Sequence, residues 1–158
     1  MQPNLIQQRA VLNACAKCNQ WARALFVWAE LQERNIEATV TACCTVIGAC
    51  GKGKQWMQAF PLLSAVQQSS AEPNVMTCSA AISAYGRGAQ WSQALYVLGE
   101  LSWSNTEPNI ISYNAAISAC EKASQWAQAL HLFGELRRIN LTPDVITFNS
   151  AISACGRG

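Results

Sequence analysis

The dipeptide Gln-Trp stands at Gln20-Trp21, Gln55-Trp56, Gln90-Trp91 and Gln125-Trp126, each 35 residues after the last. A constant internal period of this length restricts the chain to a stack of like units, each too small to bury its own apolar face alone. The register holds around the tryptophans. Three residues on come Ala24, Ala59, Ala94 and Ala129, then Leu25, Phe60, Leu95 and Leu130. Nine residues before each Trp lie Leu12, Ile47, Ile82 and Ile117, and Ile152 continues the series. Four repeats can be written without gaps as 5–39, 40–74, 75–109 and 110–144, with 145–158 as the first helix of a fifth.

Each unit carries helical periodicity twice. Tyr113, Ala116, Ile117 and Cys120 fall at i, i+3, i+4 and i+7, one face of a helix. Trp126, Ala129, Leu130, Phe133 and Leu136 form a second stripe, with the small Ala admitting close approach of the two helices. Ala123-Ser124-Gln125 is the turn between them, matched by Gly53-Lys54-Gln55 and Gly88-Ala89-Gln90. Pro73, Pro108 and Pro143 are expected to stop the second helix, and Asn74, Asn109 and Asp144 to cap the next first helix. Pro61 falls inside the second helix of the second unit and predicts a kink or a late start there. The fold class is all-α, a solenoid of stacked helix-turn-helix repeats. An unpartnered last helix and the absence of polar capping helices suggest a fragment of a longer array.

Composition agrees with this reading. Of 158 residues 51% are hydrophobic, enough for a continuous core. Eight cysteines suggest a disulfide scaffold only in a small secreted chain, and no signal peptide opens this one. Cys15, Cys50, Cys120 and Cys155 share one repeat position, spaced by roughly 10 Å in a stack, beyond the roughly 7 Å Cα separation a disulfide spans. They read as small core hydrophobes. Cys15 and Cys18 make a C-x-x-C with no second pair at zinc spacing. His131 is the single histidine. No nucleophile–base set, phosphate loop or paired carboxylates appear, so neither catalysis nor a cofactor or metal is expected. No run is long enough to span a membrane.

The formal net charge of +2 conceals a division. First helices and their turns carry Arg9, Lys17, Lys52, Lys54, Arg87, Lys122 and Arg157 against Glu121 alone, net +6. Second helices and loops are net −4. One wall of the solenoid is therefore basic. Lys17, Lys52, Arg87, Lys122 and Arg157 hold a single repeat position, a ladder with a rung every ~10 Å that suits an extended polyanion. A cation in the last turn also complements the helix dipole, but that accounts less well for the near absence of acids on the same helices.

The register Ile110-Ile-Ser-Tyr-Asn-Ala-Ala-Ile-Ser-Ala-Cys-Glu-Lys, then Trp126-Ala-Gln-Ala-Leu, closing on Pro143-Asp144, resembles the plain 35-residue class of the pentatricopeptide repeat over residues 5–158. The resemblance implies a right-handed superhelix that binds single-stranded RNA at one nucleotide per repeat, the fifth residue of one repeat and its last residue choosing the base. The implied pairs are Cys44 with Asn74, Ser79 with Asn109 and Asn114 with Asp144, with Asn149 awaiting a partner. They suggest adenine, adenine, uracil and a pyrimidine in turn. Arg9 with Thr39 matches no reading, so the first repeat is expected to stack but not to read. Thr41, Met76, Ile111 and Ile146 fall where the family wedges a side chain between bases, and the ladder falls on its phosphate-contact position. The last-position residues are all N-cap types, and capping alone would select them. The resemblance further implies an RNA processing, stability or translation factor of mitochondria or plastids, though no transit peptide precedes residue 5. The competing reading is a tetratricopeptide-like protein-interaction scaffold, whose period is 34.

Overall fold

The computed structural model describes residues 5–33, 40–68, 75–103 and 106–158. Over these the chain is helical: α1 Leu5–Lys17, α2 Trp21–Glu33, α3 Val40–Lys52, α4 Ala59–Gln68, α5 Val75–Arg87, α6 Trp91–Trp103, α7 Ile110–Lys122, α8 Trp126–Arg138 and α9 Val145–Gly156. The odd-numbered helices begin 35 residues apart. Each packs on the next, α1 on α3, α3 on α5, α5 on α7 and α7 on α9, while among the described helices each even helix touches its own partner and the first helix of the following unit. The first helices thus form a continuous layer and the second helices flank it, a right-handed solenoid.

Small residues let the first-helix layer close up. A Cβ on Gly51 would lie 2.8 Å from Ala84 Cα, and one on Gly86 would lie 3.1 Å from the Ala115 carbonyl oxygen. Leu12, Ile47, Ile82 and Ile117 fill the seam, all fully buried, as are Ala24, Ala59, Ala94 and Ala129 across the hairpins. Cys15, Cys50, Tyr85 and Cys120 are buried at their shared position, and all eight cysteines are free thiols. Burial pushes the Cys43 thiol up to about 12 and those of Cys50, Cys78 and Cys120 to about 11. These thiols stay neutral and pack as hydrophobes.

The hairpin turns share one device. Asn19, Lys54, Ala89 and Ser124 adopt φ between 55° and 59°. The amides of Gln20, Gln55, Gln90 and Gln125 then reach back to the carbonyls of Cys15, Cys50, Tyr85 and Cys120. This is the six-to-one closure of a Schellman motif, built without glycine at the left-handed position. The invariant Gln-Trp is therefore the residue closing one helix and the residue opening the next. Indoles also lock the stack: a Cβ on Gly53 would overlap the Trp21 ring, one on Gly88 the Trp56 ring and one on Gly158 the Trp126 ring.

Two expectations need amendment. The buried stripe of the second helix runs through Ala129, Leu132 and Leu136, with Phe133 half-buried, whereas Trp126 and Leu130 are 49% and 42% exposed. At the equivalent positions Ala94, Val97 and Leu101 are buried; in the first repeat Ala24 and Leu31 are buried together with Trp28, the counterpart of Phe133. Nor does Pro143 end α8. Asn140, at φ 59°, terminates it, the Leu141 amide returning to the Leu136 carbonyl, and Pro143 lies in the extended link beyond. Pro61 acts as expected by delaying its helix. A 3-10 turn, Trp56–Gln58, precedes α4, because a proline at 61 cannot accommodate the residue 57 carbonyl of a helix begun at Trp56. Pro73 lies outside the described residues.

Candidate nucleic-acid interface

At two junctions between consecutive first helices, residues of the fifth and last repeat positions meet and a hydroxyl joins them. At the junction of the third and fourth repeats Asn109 caps α7, its Oδ1 accepting from the Ser112 amide and from the Ser112 hydroxyl, both at 3.0 Å. Ser79 Oγ lies 2.7 Å from Ser112 Oγ. Since the Ser112 proton is directed at Asn109, Ser79 is the donor in that pair. Ser79 therefore keeps acceptor lone pairs, while Asn109, its oxygen held by the cap, keeps its NH2 as a donor.

The next junction repeats the construction with the polarity reversed. Asp144 caps α9 in a reciprocal capping box with Thr147. The single Thr147 hydroxyl proton is shared between Asn114 Oδ1 at 2.6 Å and Asp144 Oδ1 at 2.8 Å. Asn114 Nδ2 donates to the Asp144 carboxylate, 3.1 Å and 3.2 Å from its two oxygens. Here the fifth residue retains an N–H and the last residue offers carboxylate oxygen. The Thr147 amide and hydroxyl, with Asn114, hold the exposed Asp144 carboxyl below the usual carboxylate range. Cys44 Sγ points a weak S–H at Thr77 Oγ1, 3.7 Å away. Asn149 is exposed on α9, and Thr39 and Asn74 lie outside the described residues.

The bridging residues Thr77, Ser112 and Thr147 were not singled out from sequence. Their signal was present: the third position is hydroxyl-bearing in three consecutive units and fully buried in all three, although polar.

Beside these junctions stands a row of exposed apolar side chains. Ile6, Met76, Ile111 and Ile146, at the second position, are between 58% and 73% exposed, and exposed Thr41 completes the row. Farther along the same helices Lys17, Lys52, Arg87, Lys122 and Arg157 are exposed at or just past the C-terminal ends. They are not equivalent. Lys52 Nζ lies 3.4 Å from the Ala16 carbonyl in the last turn of α1. Arg157 is drawn to Glu121 at 3.5 Å, where Ser153 also donates. Among the described residues no three His, Cys, Asp or Glu side chains are grouped to hold a metal ion. No described helix is long and apolar enough to cross a membrane.

A solenoid of two-helix repeats whose first-helix wall carries a polar pair at two described junctions, an apolar row and a line of cations places the chain in the class of helical-repeat proteins. Family models refine that class: the PPR repeat matches residues 9–36, the pentatricopeptide repeat domain residues 26–88 and 61–123, and the PPR repeat family residues 108–157. The chain belongs to the pentatricopeptide repeat family. Among solved structures it is similar to the pentatricopeptide repeat protein PPR10 in complex with an 18-nt psaJ RNA element, with TM-score 0.86, 25% identity, and coverage of 96% of this chain and 22% of that one. PPR10 from maize matches with TM-score 0.74, 21% identity and coverage of 99% and 22%. The nuclear proteinaceous RNase P 2 (PRORP2) from A. thaliana shares the fold with TM-score 0.77, 12% identity and coverage of 97% and 35%. The chain thus spans about a fifth of the length of PPR10. No curated protein matches it in sequence.

Proposed function

We propose that this chain binds single-stranded RNA along its first-helix wall, at about one nucleotide per repeat, with repeats running N to C along RNA 5′ to 3′. The observation that carries the reading is the pair of hydroxyl-bridged junctions with opposite polarity. Ser79 and Asn109 present an acceptor beside a donor, the complement of the N6 amine and N1 of adenine. Asn114 and Asp144 present a donor beside an acceptor, the complement of a uracil carbonyl and its N3–H. Capping and base reading are one arrangement here: the cap uses one side-chain atom and thereby decides which atom faces the groove. The apolar second-position row suits a wedge between bases, and the cations suit phosphates. Likeness to an RNA-bound PPR10 supports the same ligand class.

Our reading of the preference is A-A-U followed by a pyrimidine, over Cys44/Asn74, Ser79/Asn109, Asn114/Asp144 and Asn149. The chain acts as a binding module and not a catalyst, within a mitochondrial or plastid factor for RNA processing, stability or translation. Exchanging Asn114→Ser together with Asp144→Asn should move the third base from uracil to adenine, read by fluorescence anisotropy on RNAs differing at that base. A preference left at uracil would show that this pair does not select the base. Salt-insensitive binding to a peptide with no RNA binding would favour the scaffold reading instead.

A further inference from the structure

The first junction, between α1 and α3, holds a cleft of about 160 Å³ lined by Arg9, Leu12, Asn13, Thr41, Ala42 and Thr45. It breaks the pattern of the other junctions in two places at once. Arg9 is the only charged residue at the fifth position, and Thr41 the only polar one at the second. The two departures meet: Arg9 Nη2 donates to Thr41 Oγ1 at 3.1 Å. Thr45 Oγ1 in turn donates to the Thr41 carbonyl at 2.8 Å and lies 3.5 Å from Asn13 Oδ1. Buried Leu12 and Ala42 form the floor. Among the described residues that line it there is no carboxylate.

Resting on the groove reading above, we infer that this junction is a guanine-selective site in which Arg9 reads the Hoogsteen edge. Thr41 takes one of the two Nη2 hydrogens, and the other remains to complete a parallel pair of donors with the Nε–H or with an Nη1 hydrogen. Guanine presents two adjacent acceptors, N7 and O6, which a guanidinium fork matches in bidentate fashion. Asn13 Nδ2 supplies a further donor toward O6. Adenine sets its N6 amine against the fork, and neither pyrimidine carries an acceptor pair on that edge. A phosphate would also suit donors and positive charge, but the cleft lies at the wrong level for one. It adjoins the second-position row, whereas Lys17 on the ladder is eight residues along α1, about 12 Å along the axis. The preferred strand becomes 5′-G-A-A-U-pyrimidine.

The test uses the 158-residue chain with four short RNAs, 5′-NAAUC-3′, where N is each base in turn, and a fifth with 7-deazaguanine at N. Guanine should bind about tenfold or more tightly than the other bases. Replacing N7 by carbon, or making Arg9→Ala, should remove that advantage while leaving discrimination at the A-A-U bases intact. Arg9→Lys, which keeps the charge without the fork, should recover only a minor part of it. A circular-dichroism melt of each variant checks that the exposed substitution leaves the fold unchanged. Two results overturn the inference alone: no preference at N while A-A-U is still selected, or an Arg9→Ala loss equal for all four bases with a shallower salt dependence, the mark of a phosphate contact. Equal binding of RNAs scrambled at A-A-U would overturn the groove reading as well.

Discussion

At the head of α9 the Asp144 carboxylate accepts the Thr147 amide and faces the Asn114 amide with both oxygens. These bonds favour the ionised form, so its pKa falls below the ordinary 3.8. Stabilisation of that kind is present above the unfolded-state value and is lost only as pH falls through the lowered folded value. Selection of uracil by Asn114 and Asp144 should therefore stay constant from pH 8 to pH 5, measured as the ratio of affinities for uracil and adenine RNAs. A decline within that window would mean the carboxylate is not held by the cap. Gln8 is the opposite case. It is 4% exposed at a position held by Cys43, Cys78 and Tyr113 in the following repeats, and neither its Nε2 nor its Oε1 has a hydrogen-bond partner. Gln8→Met should raise stability by about 1–2 kcal/mol, seen as a higher urea midpoint with unchanged slope.

Among the elements, α4 differs from its sisters through one residue. α2, α6 and α8 each start at their tryptophan, whereas α4 starts at Ala59 behind the 3-10 turn. In the first turn the missing Pro61 N–H leaves little unsatisfied, so the cost falls well short of the ~3 kcal/mol of an interior proline. Pro61→Ala should extend α4 back to Trp56, stabilise the chain by about 1 kcal/mol and add amide-exchange protection in that turn. The delayed start was legible from sequence because the 35-residue register placed Pro61 inside a helix. The burial of Leu132 in place of Leu130 was not. Leu130 and Leu132 are equally apolar, and only the azimuth at which α8 meets α7 and α9 decides that Leu132 is covered.

Across the whole molecule the basic wall is weakened at its C-terminal end. Five phosphate contacts on a single strand predict a slope of log affinity against log salt of about −3.5, and four predict about −2.8. With Arg157 held by the 15%-exposed Glu121, the smaller slope applies to this chain. Glu121→Gln should release Arg157, strengthen RNA binding and steepen the slope by about 0.7. An unchanged slope would mean that Arg157 reaches phosphate while paired, or never does.

The 35-residue period by itself determined the repeat architecture, the helix pairs and which residues share a position, because a repeated unit must repeat its packing. It also placed the cation ladder on one wall, since every first helix lies in the same layer. Tertiary structure alone decided how equivalent residues differ. Arg157 and Lys122 share a register position, yet Arg157 faces a carboxylate. Arg9 meets Thr41 only because α1 and α3 abut. The hydroxyls of Ser112 and Thr147 join side chains about 30 residues apart, and their protons set the donor and acceptor pattern of the groove. Hydrogen-bond direction depends on three groups meeting at once, and a one-dimensional register carries no such information.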